Sequence, residues 1–151
     1  MLAFKDLKAI LKTSVVWEKK LKDFYDVAEF AVQSQESKQV IGLLRDNLVE
    51  KLKILEDINV EKYGRTEWVQ FAPDYKEEDL IPIHKINRES SPKEIITEIL
   101  ESEKRLKSFY ATIHDNLITR NQKDLFNSIV TFKDKQISEI ENLLKSDDLG
   151  R

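Results

Sequence analysis

Cysteine is absent from the 151 residues, and glycine and proline occur three times each. The first absence excludes disulfides, thiolate metal sites and cysteine nucleophiles. The second leaves two stretches, roughly 4–62 and 93–146, with no proline and with Gly42 as their only glycine. No run of about 18 apolar residues exists, so no segment reads as membrane-spanning. Neither charge dominates: 25 Lys plus Arg face 28 Asp plus Glu, for a formal charge of −3. A nucleic-acid binder with a basic face is not expected from that balance. The opening Met1-Leu-Ala-Phe-Lys-Asp-Leu-Lys8 carries charges where a signal peptide needs an apolar core. The expectation is a cytoplasmic chain with neither membrane nor nucleic acid as partner. Glycine-rich phosphate loops and Ser/His/Asp sets are lacking as well.

What is present is helix-forming. Charged residues make up 35% of the chain and apolar ones 40%, with spacings of 3, 4 and 7. Phe4, Leu7, Leu11, Leu21, Tyr25, Ala28 and Val32 form one stripe, and Ile41, Leu44, Leu48, Leu55 and Ile58 a second. Ile96, Ile99, Leu106, Tyr110, Ile113 and Leu117 form a third, and Phe126, Ile129, Ile140 and Leu143 a fourth. Polar joints at Gln33–Ser37 and Thr119–Gln122 divide each long stretch into two antiparallel helices. Ser91-Pro-Lys-Glu94 reads as a capping box with proline at the first helical position. The fourth helix is expected from Asn121, with Asp124 in its first turn.

The two halves repeat. Glu18-Lys-Lys-Leu-Lys-Asp-Phe-Tyr25 matches Glu103-Lys-Arg-Leu-Lys-Ser-Phe-Tyr110 at six of eight positions, at an offset of 85 residues. The same offset carries Leu44 to Ile129, Leu55 to Ile140 and Ile58 to Leu143. A shared offset across two helices indicates an internal duplication, two hairpins related by a pseudo-two-fold. The chain therefore reads as one domain over 1–151: hairpin 1 at about 4–62, a crossover at about 63–91 and hairpin 2 at about 92–146. The crossover carries Tyr63, Trp68, Phe71 and Tyr75, which would pack it along helices about 40 Å long.

Each stripe is interrupted at mid-height, by Glu18, Lys51, Glu103, and Lys133 with Gln136. Such residues either lie at a stripe's edge with their heads in water or meet inside and satisfy one another, because lone buried charges are too costly. His84 and His114 are assigned no role. Val15, Val16, Trp17, Phe24 and Phe109 add apolar surface beside the stripes, as the edge of the core or as a face for a second subunit.

Glu-x-x-Leu-x-x-Phe-Tyr, found twice and each time followed by a second helix, resembles the ferritin-like superfamily, specifically its rubrerythrin-type domain. The resemblance covers essentially the whole chain. It implies an all-α four-helix bundle of two antiparallel hairpins joined by a long crossover. It also implies a di-iron core held by single glutamates on two helices and Glu-x-x-His on the other two. Homodimers, common in the family, are a further implication. Glu18 and Glu103 match the single glutamates, and Tyr25 and Tyr110 match tyrosines that hydrogen-bond to the carboxylate shell. The remaining ligand positions depart from the pattern. They hold Leu48 and Lys51 in helix 2, and Lys133 and Gln136 in helix 4.

Those six positions carry two carboxylates and two ammoniums, summing to zero, and an ammonium has no lone pair for a metal. The expectation is a buried polar network of Glu18, Lys51, Glu103, Lys133, Gln136, Tyr25 and Tyr110. No metal, cofactor or catalytic residue is then expected, and the chain reads as a non-catalytic structural or protein-binding module. The alternative is a di-iron oxidoreductase or iron-handling protein with a shifted site using Glu18, Glu50, Glu103 and Asp134, with His114. A third reading is a plain helical bundle whose likeness to the family is convergent.

Overall fold

The computed structural model describes residues 3–63, 68–71, 81–82 and 85–146. Tyr75 and His84 lie outside these residues. Four helices carry the architecture: α1, Leu7–Ala31; α2, Gln35–Glu56; α3, Pro92–Asn116; and α4, Arg120–Lys145. Each hairpin turns in three residues, 32–34 and 117–119, so each helix packs antiparallel against its sequence neighbour. The hairpins meet through α1 against α3 and α2 against α4.

The helix ends follow from local chemistry. Asp6 caps α1, its carboxylate accepting from the Ala9 N–H at 2.8 Å. Ser34 caps α2 through the Ser37 N–H at 3.0 Å. Ser91 caps α3 through the Glu94 N–H at 3.1 Å, with Pro92 opening the helix as its fixed φ favours. The fourth helix starts one residue before the expected Asn121. Thr119 occupies its N-cap with no side-chain bond capping the helix, and Asp124 falls beyond the first turn.

Two short strands were not legible in the helical periodicity. β1, Ala3–Asp6, pairs antiparallel with β2, Trp68–Phe71, in the register Ala3 to Phe71 and Asp6 to Trp68. Phe4 therefore belongs to a strand and not to the first helix. A 3₁₀ turn, Val60–Tyr63, follows α2. There the Tyr63 carbonyl accepts from Gln122 at 3.3 Å, which ties the start of the crossover to the start of α4.

The direction of travel fixes the topology. Tyr25 lies opposite Glu103 and Tyr110 opposite Glu18 across the α1–α3 contact. Numbers rise along one helix as they fall along the other, so the two are antiparallel. With two tight hairpins, α2 and α3 must then run the same way. The end of α2 and the start of α3 therefore lie at opposite ends of the bundle. β2 packs on α3 as well as on β1, and Ile81 is buried in the core with Ile86 packed against it.

The apolar stripes converge on one core that includes Leu21, Leu48, Leu106 and Phe126, all with no exposed surface. Trp17 and Phe24 are core residues, and Val15 and Phe109 pack against it, with Trp17 and Phe109 in ring contact at 5.3 Å. Only Val16 of that group is exposed. No described helix is long and apolar enough to cross a membrane.

Candidate functional site

The interruptions of the stripes meet at the centre of the bundle. Glu18 of α1 is 2% exposed, and Glu103 of α3 and Lys133 of α4 are 0% exposed. The Lys133 ammonium stands between the two carboxylates. It donates to Glu103 Oε1 at 2.6 Å and is in direct contact with Glu18 Oε1.

The second oxygen of each carboxylate is served by a phenol from the opposite half of the repeat. Tyr110 donates to Glu18 Oε2 at 2.7 Å, and Tyr25 donates to Glu103 Oε2 at 3.2 Å. Tyr25 in turn accepts from Gln136 Nε2 at 3.5 Å, and Gln136 also donates to the Leu44 carbonyl at 3.0 Å. Antiparallel packing explains the exchange. In each Glu-x-x-Leu-x-x-Phe-Tyr segment the glutamate and tyrosine are seven residues apart on one face, so laying two copies head to tail sets each glutamate opposite the other's tyrosine.

Charge balance differs from the expected zero. Lys51 does not join the centre. It is half-buried, with its ammonium 5.9 Å from the centroid of the Phe132 ring, which Lys133 also approaches at 5.7 Å, and burial lowers its pKa from the ordinary lysine value. Lys51 stands three residues beyond Leu48 and makes no hydrogen bond to either carboxylate. The centre thus holds two carboxyls and one ammonium, a surplus of one negative charge when all three are ionised.

Burial and the neighbouring charges together set the titration directions. Burial pulls the Lys133 ammonium down, but Glu103 and Glu18 together outweigh it and hold its pKa above the ordinary value. Burial raises Glu103, against the attraction of Lys133, and the neighbouring Glu18 raises it further. Burial also holds Tyr25 well above its ordinary value, reinforced by Glu103. Tyr110 is held well above likewise, by burial and then Glu18, with the Ser14 hydroxyl acting the other way. Both phenols are therefore neutral donors.

Ser14, Ser102 and Gln122 are further buried polar residues that the stripes did not single out. Ser14 and Ser102 each donate back to the carbonyl four residues earlier, Ile10 at 2.8 Å and Glu98 at 2.9 Å. Small hydroxyls can satisfy themselves in this way inside a helix, which makes them hard to tell from surface residues by pattern alone.

The shifted metal site is not formed. Glu50 is exposed, Asp134 pairs with Lys107 on the surface at 2.5 Å, and His114 lies beside Asp115 at 3.1 Å. Leu48 is fully buried and apolar. Among the described residues, no group of three or more His, Cys, Asp or Glu is arranged to hold a metal ion. The donor set at the centre does not fit a di-iron cluster: two carboxylates remain, with a cation already between them and no imidazole beside them. No known family model matches the chain, and no characterised protein or solved structure does either.

Proposed function

We propose that the chain is a ferritin-like bundle of the rubrerythrin type in which a lysine has taken the place of the metals, and that it acts as a non-catalytic structural or protein-binding module. The observation that carries this reading is the Lys133 ammonium held between Glu18 and Glu103. A cation is what two buried carboxylates require, and here a side chain supplies it. Support also comes from the pseudo-two-fold pairing of Tyr25 with Glu103 and Tyr110 with Glu18, the arrangement expected of a duplicated carboxylate-binding hairpin. Elemental analysis after anaerobic Fe²⁺ loading and desalting tests the reading, with melting temperature measured alongside. Near-zero iron and an unchanged melting temperature are expected. One or two irons per chain with a raised melting temperature would overturn it and favour a di-iron oxidoreductase or iron-handling protein.

A further inference from the structure

The centre brings together what an amide-forming reaction needs. An amine and a carboxyl are in contact, Lys133 and Glu18. A second carboxyl, Glu103, touches the same nitrogen at 2.6 Å and can carry protons from it. A phenol, Tyr110, donates to the other oxygen of Glu18 at 2.7 Å, where negative charge would develop on attack. All four side chains are at most 2% exposed, so water is largely kept away from both reactants. Reacting groups held in this way gain effective molarities of about 10⁵–10⁸ M when well oriented.

We propose that Lys133 and Glu18 condense to an intramolecular amide that staples α1 to α4. The proposal rests on the metal-free reading above, because a metal on Glu18 would block it. Lys133 gives one proton directly to Glu18 Oε1, which it touches, and this leaves a neutral amine facing a neutral acid. The ion pair is the resting form, since the two carboxylates favour the ammonium, and the neutral pair is the minor form that reacts. The amine attacks the Glu18 carboxyl carbon, and the Tyr110 hydroxyl stabilises the oxyanion. Glu103 carries the second proton from nitrogen to Oε1. The C–Oε1 bond breaks, a C–N bond remains and one water leaves. Neither oxidant nor co-reactant is needed, and atoms and charge balance.

Glu18 is the electrophile and Glu103 the proton carrier because the Tyr110 hydrogen bond to Glu18 is shorter than the Tyr25 bond to Glu103, 2.7 against 3.2 Å. The product would join the two hairpins across the bundle, since α1 packs chiefly on α2 and α3, and α4 on α3. In a chain without cysteine it would supply the covalent tie that a disulfide gives elsewhere.

Intact mass of the full-length protein, denatured after prolonged incubation in its folded form, tests the proposal. The expected mass is that of the sequence less one water, with peptide mapping placing Lys133 joined to Glu18. The folded Glu103→Gln variant, checked by helical circular dichroism, is expected to keep the full sequence mass, as is Lys133→Met. A wild-type chain at full sequence mass overturns the proposal, and so does a water loss that maps anywhere else, Glu103 included. A water loss undiminished in Glu103→Gln overturns the assignment of the proton carrier. Mass and iron content are independent readouts, so failure here is distinguishable from failure of the metal-free reading.

Discussion

Lys133 and Leu48 occupy equivalent positions in the two halves of the chain, 85 residues apart, and both are fully buried. One carries the charge of the centre and the other is plain core. The 85-residue offset pairs α2 with α4 and Glu18 with Glu103, so a lysine at 48 is expected to reach the same pair of carboxylates. The double exchange Leu48→Lys/Lys133→Leu is expected to recover more than half of the stability that Lys133→Leu alone removes, measured by chemical denaturation. Recovery of none would mean that the two sides of the centre are not equivalent.

Removing the cation should be costly. Relative to the chain before any amide forms, Lys133→Met leaves two carboxyls buried without a counter-charge, and breaking such a pair typically costs about 3–5 kcal/mol. Because the orphaned carboxyls escape by taking up protons, the loss should be larger at pH 8 than at pH 5. Adding Glu103→Gln to Lys133→Met should return part of it. A denaturation midpoint for Lys133→Met equal to that of the wild type at both pH values would show that the ammonium is not seated between the carboxylates.

Lys51 supplies the contrast. It is half-buried over the Phe132 ring that Lys133 also approaches, and it makes no hydrogen bond to Glu18 or Glu103. Lys51→Met is expected to change stability by less than about 1 kcal/mol, the range of an exposed cation–π contact. A loss as large as that of Lys133→Met would put Lys51 back into the central network.

Alkaline behaviour follows from the tyrosines. Both are held well above their ordinary value in the folded chain, by burial and by the adjacent carboxylates. A raised folded value means that their contribution is fully present below the unfolded value, about 10, and is lost as pH rises beyond it, because only the unfolded chain then ionises them. Stability should fall steeply above about pH 10. The Tyr25→Phe/Tyr110→Phe variant should show a shallower fall, even if it starts from a lower plateau. Equal slopes for the two proteins would show that neither phenol is held neutral.

Much of this was legible in the sequence, and the reasons for the rest are physical. The apolar stripes placed all four helices because burial imposes the 3.6-residue period on them. The offset of 85 residues linked Glu18 to Glu103 and Tyr25 to Tyr110 before any geometry was known. Lys51 misled because a stripe's phase locates a Cα but not the end of a long side chain. The Lys133 ammonium reaches both carboxylates and that of Lys51 bonds neither, although each interrupts its stripe in the same way. The β1–β2 ribbon escaped because four-residue strands leave almost no periodicity. Its pairing joins residues more than sixty apart. The start of α4 at Arg120 escaped because no side-chain cap marks it: Thr119 makes no capping bond.

The central claim is that a lysine nitrogen occupies the place of a metal. Crystals grown with Fe²⁺ under anaerobic conditions, with anomalous diffraction recorded at the iron edge, test it most directly. The account predicts no anomalous peak between Glu18 and Glu103, and continuous density for the Lys133 side chain reaching both carboxylates. An anomalous peak at that point, with Lys133 turned away, would contradict it.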